Sequence, residues 1–171
     1  TAVVDETDLP LGINVLRNDS EAALSVAAAV DADYVRVNVH TGARVTDQGI
    51  VQGKAHETLR LREALGVDVG ILADTDVKHS APLSAEGYTA ESFADTAERG
   101  LADAVIASGR GTGEATDPEA LAAVVDERDA HGLDTPVLVG SGVDRETVGE
   151  ALAVADGVIV GTALKEGGET T

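Results

Sequence analysis

The sequence lacks cysteine, methionine and tryptophan altogether among its 171 residues. Without cysteine, the chain has neither a disulfide nor a thiolate that could act as nucleophile or metal ligand. Its only aromatic residues are Tyr34, Tyr88 and Phe93, too few for a site based on base stacking or an aromatic cage. No apolar run approaches membrane-spanning length and no signal peptide is visible, so we expect a cytoplasmic protein that does not insert into a membrane.

Positive charge is also scarce, since 12 lysines and arginines face 31 aspartates and glutamates, for a formal net charge of −19. Such a chain repels nucleic acid and anionic membrane surfaces, which excludes nucleic acid as a partner. The acidic residues are spread along the predicted helices and accompany much alanine, valine and threonine. This composition is typical of halophilic proteins, and we expect an acidic surface adapted to high salt.

Short apolar runs recur every 25 to 35 residues and alternate with alanine-rich amphipathic stretches, which predicts repeated βα units and a parallel sheet. The predicted strands are Leu11 to Leu16, Tyr34 to Val39, Asp68 to Ala73, Asp103 to Ala107, Pro136 to Val139 and Gly157 to Val160. Helix starts are predicted at Asn18 to Glu21, near Lys54, at Thr89 to Ser92, at Thr116 to Glu119 and at Asp144 to Thr147, and helix ends at Gly66, Gly100 and Gly132. No linker divides the chain, which indicates a single domain over residues 1–171.

Two segments near the end favour a barrel over an open sheet. Pro136 to Gly142 and Gly157 to Ala163 are β-branched runs that stop at glycine beside a hydroxyl residue. In a (β/α)8 TIM barrel, the loops after the seventh and eighth strands bind phosphate in this way, whereas an open nucleotide-binding sheet usually has its glycine-rich turn after the first strand. We therefore expect strands three to eight of a TIM barrel, with the first two βα units and the last helix lying outside the chain; the alternative is a complete doubly wound sheet.

The second predicted strand alternates valine with polar residues. Because helices cover the outside of a parallel barrel, its valines should face outward, and Arg36 and Asn38 should point into the barrel. A buried arginine requires a carboxylate, for which Asp74 and Asp76 are the candidates. Asn14 faces inward by the same alternation. These side chains form either a purely structural network or one whose upper members contact a ligand.

The third predicted strand runs into Ala73-Asp-Thr-Asp-Val-Lys-His79, at the strand end where barrel enzymes place catalytic residues. We predict catalytic roles for Asp74, Lys78 and His79, as base, acid and a cation for an enolate or phosphate oxygen. Asp74 and Asp76 are instead the candidate ligands if a divalent metal is bound. The sequence does not itself require any cofactor.

Loops at the same end complete the predicted site. The polar stretch from Asn38 to Gly49 is predicted as a long functional loop, and three glycines surround Arg110 after the fourth strand. The predicted phosphate- and substrate-binding residues are Asn14, Arg36, Asn38, Ser108, Gly109, Gly140, Ser141, Gly142, Gly161 and Thr162.

Several of these motifs together resemble the BtpA family of (β/α)8 barrels. The resemblance rests on Leu11 to Asp19, Arg36 to Val39 with Thr41-Gly42, Thr46 to Ile50, Ala73 to His79 and Val139 to Gly142. It implies a barrel of the ribulose-phosphate-binding type, with Asp76 at a position where family members commonly have histidine. Family members are labelled as photosystem I or membrane complex biogenesis proteins.

Two functions of different classes follow from these observations. The first is an enzyme that acts on a small phosphorylated metabolite, such as a sugar phosphate, by isomerase, lyase or transferase chemistry. The second is a noncatalytic assembly factor that uses the barrel as a docking scaffold. An inactive fragment with open sheet edges, which favours association into a homo-oligomer, is a third reading.

Overall fold

The structure is a computed structural model that describes residues 6–47, 49–77, 80–83, 92–108, 116–166 and 169–170. Its strands in chain order are β1 (Gly12–Ile13), β2 (Tyr34–Val37), β3 (Ala43–Thr46), β4 (Gly49–Gln52), β5 (Gly70–Asp74), β6 (Ser80–Pro82), β7 (Ala104–Ala107), β8 (Val137–Val139), β9 (Gly157–Val158), β10 (Lys165–Glu166) and β11 (Glu169–Thr170). The helices are α1 (Ser20–Val30), α2 (Ala55–Leu65), α3 (Ser92–Ala94), α4 (Pro118–Ala130) and α5 (Val148–Leu152). A π-helical turn over Asp95–Arg99 continues α3, and a 3-10 turn covers Thr162–Leu164.

The main sheet has six strands in the order β1-β2-β5-β7-β8-β9, and every neighbouring pair is parallel. This spatial order follows the chain order. A doubly wound sheet reverses its order at a switch point, so that alternative is wrong. Each of the six predicted strands is present, and β5 extends one residue beyond the predicted end, to Asp74.

The valine face of β2 is buried against helices, as predicted. Val35 and Val37 are 0% and 3% exposed and belong to one apolar cluster with Leu24 of α1 and Ile71 of β5. Leu59 of α2 packs against the same cluster. With this face occupied, the alternate residues of β2 must lie on the opposite, inner face of the sheet.

A second apolar cluster supports β7 and β8. Phe93 of α3 is fully buried and packs with Val105, Val137 and Leu121 of α4. The carboxylate of Glu127 accepts a hydrogen bond from the Phe93 backbone N–H at 2.9 Å. Glu127 of α4 therefore caps the amino end of α3.

Helix starts follow the predicted caps in two cases. The Asp19 carboxylate accepts from the Ala22 N–H at the start of α1, and Asp117 accepts from Glu119 at the start of α4, where Pro118 occupies the first turn. The last helix begins later than predicted, because Asp144 to Thr147 form a hydrogen-bonded turn and α5 starts only at Val148. No helix among the described residues is both long and apolar enough to cross a membrane.

The polar stretch predicted as a long loop is irregular over residues 38–42 but continues as a β-hairpin, so the prediction is wrong for that second part. β3 and β4 pair antiparallel, and β6 joins the other edge of β3 to make a three-stranded sheet. Gly53 N–H donates to Gly42 O at 2.7 Å and closes the base of the hairpin, and Ala55 N–H donates to His40 O, in the segment that follows β2, at 3.0 Å. The small sheet is thus anchored at the carboxyl end of the main sheet.

A repeated contact joins adjacent strands at their amino ends. Asp33, Asp103 and Asp156 each stand directly before a strand of the main sheet and accept a backbone N–H from the preceding strand's segment. For Asp156 the donor is Val137 N–H at 2.8 Å, and the Arg128 guanidinium binds the same oxygen at 2.9 Å. The aspartates align neighbouring strands at the end opposite to the predicted site.

We expect the Asp156→Ala variant to lower the free energy of unfolding by about 1–2 kcal/mol, because the N–H of buried Val137 loses its acceptor. The exposed ion pair with Arg128 adds little, since the Asp156 side chain is 48% exposed. Urea denaturation measures the change. The matched control is Asp134→Ala, at an exposed aspartate whose side chain makes no hydrogen bond within the described residues. A loss as large in Asp134→Ala would contradict the role of Asp156.

Candidate functional site

Four polar side chains meet at the carboxyl ends of β2, β5 and β7. The Arg36 Nε and Nη2 atoms each lie 2.9 Å from a different carboxylate oxygen of Asp74, a bidentate ion pair. Asn38 Nδ2 donates to Asp74 Oδ2 at 2.7 Å, and Ser108 Oγ accepts from Arg36 Nη2 at 3.4 Å. The prediction that Arg36 and Asn38 point inward and that a strand-end carboxylate pairs with Arg36 is confirmed, and that carboxylate is Asp74.

Burial differs sharply between the two partners of this pair. The Asp74 side chain is 2% exposed, whereas that of Arg36 is 29% exposed. Asp74 receives three hydrogen bonds from Arg36 and Asn38, and Arg36 Nη1 donates to no described residue. Asp74 therefore orients its two neighbours, while Arg36 keeps its charge partly exposed and its Nη1 donors unused by any described residue.

Two asparagines join the first strand to the second. Asn14 Nδ2 donates to the Arg36 carbonyl at 2.9 Å. The Asn18 amide pairs with both backbone groups of Val39, donating to its oxygen at 2.8 Å and accepting from its N–H at 2.7 Å. Asn14 therefore contacts the backbone beside the polar cluster, and Asn18, which the sequence suggested only as part of a helix start, fixes the loop after β1.

Asp76 takes a different partner from Asp74. Its carboxylate pairs with the Arg44 guanidinium of β3, whose Nε also donates to Ser80 Oγ at 2.6 Å. Each of the two candidate metal-binding carboxylates is thus engaged by its own arginine. Within the described part of the chain, no group of three or more histidine, aspartate or glutamate side chains could hold a metal ion. Lys78, His79 and Gly109 lie outside the described residues.

The two glycine loops leave the sheet side by side, because β8 and β9 are adjacent and parallel. A side chain at Gly140 would place its Cβ 2.8 Å from the Cβ of Ile159, so only glycine permits this approach of the loops. Gly142 has a φ of +76°, which also favours glycine. The backbone N–H groups of Gly142, Gly161 and Thr162 donate to no acceptor among the described residues, which leaves them available to an anion.

His40 is a buried residue that the sequence placed only in a loop. It is 1% exposed, its Nε2 lies 2.8 Å from the Gly100 carbonyl, and its Nδ1 has no partner among the described residues. Burial is the main effect that lowers the pKa of His40, and the hydrogen bond to Gly100 opposes it. Because a carbonyl oxygen can only accept, Nε2 carries a hydrogen and donates it to Gly100.

We expect the Asp74→Ala variant to lower the free energy of unfolding by about 3 kcal/mol, because it leaves the charge of Arg36 without its partner. The double variant Arg36→Met/Asp74→Leu should lose less stability than the single variants Arg36→Met and Asp74→Leu lose in sum, since it removes both charges together. Denaturant titrations of all the variants measure this coupling.

The matched control for the ion pair is Asp68→Ala, at an exposed aspartate just before β5 with no side-chain hydrogen bond among the described residues. Its stability should stay within about 0.5 kcal/mol of the wild type. Strictly additive effects at Arg36 and Asp74 would contradict the central role of the pair.

The stability of the protein should fall as the pH drops below about 6.5, in part because of His40. The unfolded chain takes up a proton at this histidine near its ordinary pKa, whereas the folded state, with a lowered pKa, does not. Between the pKa of His40 in the folded state and that in the unfolded state, the free energy of unfolding falls by at most about 1.4 kcal/mol per pH unit. Urea titrations from pH 8 to pH 5 should show a shallower dependence in His40→Gln than in wild type.

The control for the pH dependence is His131→Gln, at an exposed histidine that follows α4. This variant should keep the full wild-type slope. Equal slopes in wild type and His40→Gln would show that His40 does not contribute.

Comparison with known proteins gives relatives over almost the whole chain. The Photosystem I biogenesis protein BtpA of Synechocystis sp. is 48% identical over 159 residues, which cover 93% of this chain. An uncharacterized protein of Thermococcus kodakarensis is 47% identical over 167 residues, 98% of this chain. The matches span only 54% and 61% of the lengths of these two relatives.

Solved structures similar to this fold include TIM barrels. A mutant tryptophan synthase alpha-subunit from Pyrococcus furiosus superposes with a TM-score of 0.60 at 22% identity, over 95% of this chain and 62% of that one. FabK from Thermotoga maritima gives a TM-score of 0.60 at 20% identity, over 95% of this chain and 44% of that one. The six parallel strands are therefore part of a TIM barrel. The profile of the BtpA family matches residues 1–171, and the chain belongs to the BtpA family.

Proposed function

We propose that the protein is an enzyme that binds a small phosphorylated metabolite, such as a sugar phosphate, at the carboxyl ends of the barrel strands. The observation that carries the proposal is the pair of glycine loops after β8 and β9. Their N–H groups at Gly142, Gly161 and Thr162 have no acceptor among the described residues and leave the sheet at neighbouring points. Converging backbone N–H groups are a common phosphate site in TIM barrels.

The opposite side of the proposed site is the polar cluster of β2, β5 and β7. Arg36 would contact an anionic or hydroxyl group of the ligand through Nη1, and Asp74 would hold Arg36 and Asn38 in position. Lys78 and His79, together with Asp74, remain the proposed catalytic acid and base. The reaction class is proton transfer or rearrangement of a carbon–carbon or glycosidic bond, in which a cation stabilises charge that develops on oxygen.

Phosphate esters test this function directly. Glycerol 3-phosphate and ribose 5-phosphate should raise the thermal midpoint, while glycerol and ribose should not. At a free ligand concentration near 100 times Kd, the stabilisation should be about 2.7 kcal/mol. The Gly142→Asp variant should lose the effect, because its carboxylate would stand where the phosphate binds.

The control is Gly132→Asp, since Gly132 also has a positive φ, of 64°. Both variants carry the same backbone cost and the same added charge, but Gly132 follows α4 at the amino end of β8. Gly132→Asp should therefore retain ligand binding. Absence of any phosphate-ester effect on the wild type, or equal binding by both variants, would contradict the proposal.

The alternative is a noncatalytic assembly factor, in line with the name of the Synechocystis relative. One observation favours it. Val45 of β3, Ile50 of β4 and Leu83, directly after β6, are 43%, 57% and 51% exposed, and Val45 lies directly opposite Ile50 in the pairing. An exposed apolar patch of this kind fits a protein partner. Under this alternative Ile50→Lys would abolish partner capture, whereas an enzyme would keep phosphate-ester binding in the same variant.

A further inference from the structure

A pocket of about 340 Å³ lies on the helix side of the main sheet, between α4 and α5. This volume is at the lower end of the range of about 300–1,000 Å³ found for small-molecule sites. Its lining includes Thr116, Leu121, Val139, Val143, Ala151 and Val154, and on one side Ser141 and Gly142 of the loop after β8. Leu121, Val139 and Val143 also belong to the buried apolar cluster beneath it, so the floor of the pocket is the core itself.

One polar atom inside this apolar lining stands out. Thr116 Oγ1 is buried and has no hydrogen-bond partner among the described residues. The hydroxyl of Thr147, which also lines the pocket, is already used, because it donates to Asp144 Oδ1 at 2.9 Å and accepts from the Asp144 N–H at 3.1 Å. A buried hydroxyl without a partner is rare in folded proteins, and here it borders empty space that a ligand group can reach.

Charge around the pocket argues against an anion. Glu150 contributes an exposed carboxylate to the lining, and the chain as a whole carries a net charge of −19. The pocket also lies on the face of β8 that carries Val139, opposite to the inner face on which Arg36 meets Asp74. Its ligand is therefore distinct in chemistry from the phosphorylated metabolite, although the loop after β8 borders both sites.

We propose that this pocket binds a small, uncharged and mainly apolar molecule that carries one hydrogen-bonding group. The apolar body lies against Leu121, Val143 and Ala151, and the polar group pairs with Thr116 Oγ1. This inference does not depend on phosphate binding, because the ligand needs neither the glycine N–H groups nor Arg36.

Phenol and toluene are matched probes, since they share an aromatic body and differ in one hydroxyl group. Calorimetry and ligand-observed NMR on the purified 171-residue protein, without phosphate, should show saturable binding of both. Phenol should bind about three- to tenfold more tightly, the effect of one hydrogen bond. Thr116→Val keeps the shape of the side chain. In this variant the affinity for phenol should fall to that for toluene, while the affinity for toluene stays unchanged.

Filling the pocket tests its location. Ala151→Phe should abolish the binding of both probes, whereas the control Ala123→Phe, at an exposed position of α4, should leave binding intact. Val154→Trp at the half-open rim is the second blocking variant should Ala151→Phe fail to give a cooperative thermal transition. The inference is overturned if neither probe saturates the wild type, if the folded blocking variant still binds, or if Thr116→Val leaves the preference for phenol unchanged.

Discussion

A buried carboxylate that bridges two strands organises the inner face of this sheet. Helices cover the valine face of β2, so the charge of Arg36 can lie only on the inner face, where Asp74 of β5 receives it. The same carboxylate holds Asn38, and the other side of the guanidinium reaches Ser108 after β7. The pair thus fixes three successive strand ends relative to one another. Without it, the inner face would carry an arginine whose desolvation nothing offsets.

The parts of the fold that repeat along the chain could be predicted from the sequence. Alternation in Tyr34 to Val39 settled which residues of β2 face the helices, because a strand has only two faces. From that, a partner for Arg36 at a neighbouring strand end followed from the cost of burying charge. The choice between Asp74 and Asp76 did not follow, since both stand near the end of β5. Asp74 is the partner because it is the last residue of β5 and lies on the same, inner face as Leu72, which pairs with Arg36. Asp76 lies beyond the end of the strand and is held by Arg44.

What escaped prediction depends on contacts between distant parts of the chain. The β3–β4 hairpin carries a weak signal, with Val45 and Ile50 on either side of a short sequence that contains Gly49, but the polar residues around them are also typical of a loop. The pairing of the Asn18 amide with the backbone of Val39, 21 residues away, leaves no mark on the pattern of either segment. The buried hydroxyl of Thr116 is likewise a property of packing between α4 and α5. Such features depend on tertiary contacts and leave no pattern in the sequence.

We propose that the glycine loops after β8 and β9 form the anion site of the barrel. Crystals soaked in tungstate, a heavy analogue of phosphate, measure the position of that site through anomalous scattering from tungsten. We expect the strongest peak within hydrogen-bonding distance of the N–H groups of Gly142 and Thr162. Peaks confined to surface arginines, with none between the two loops, would contradict it.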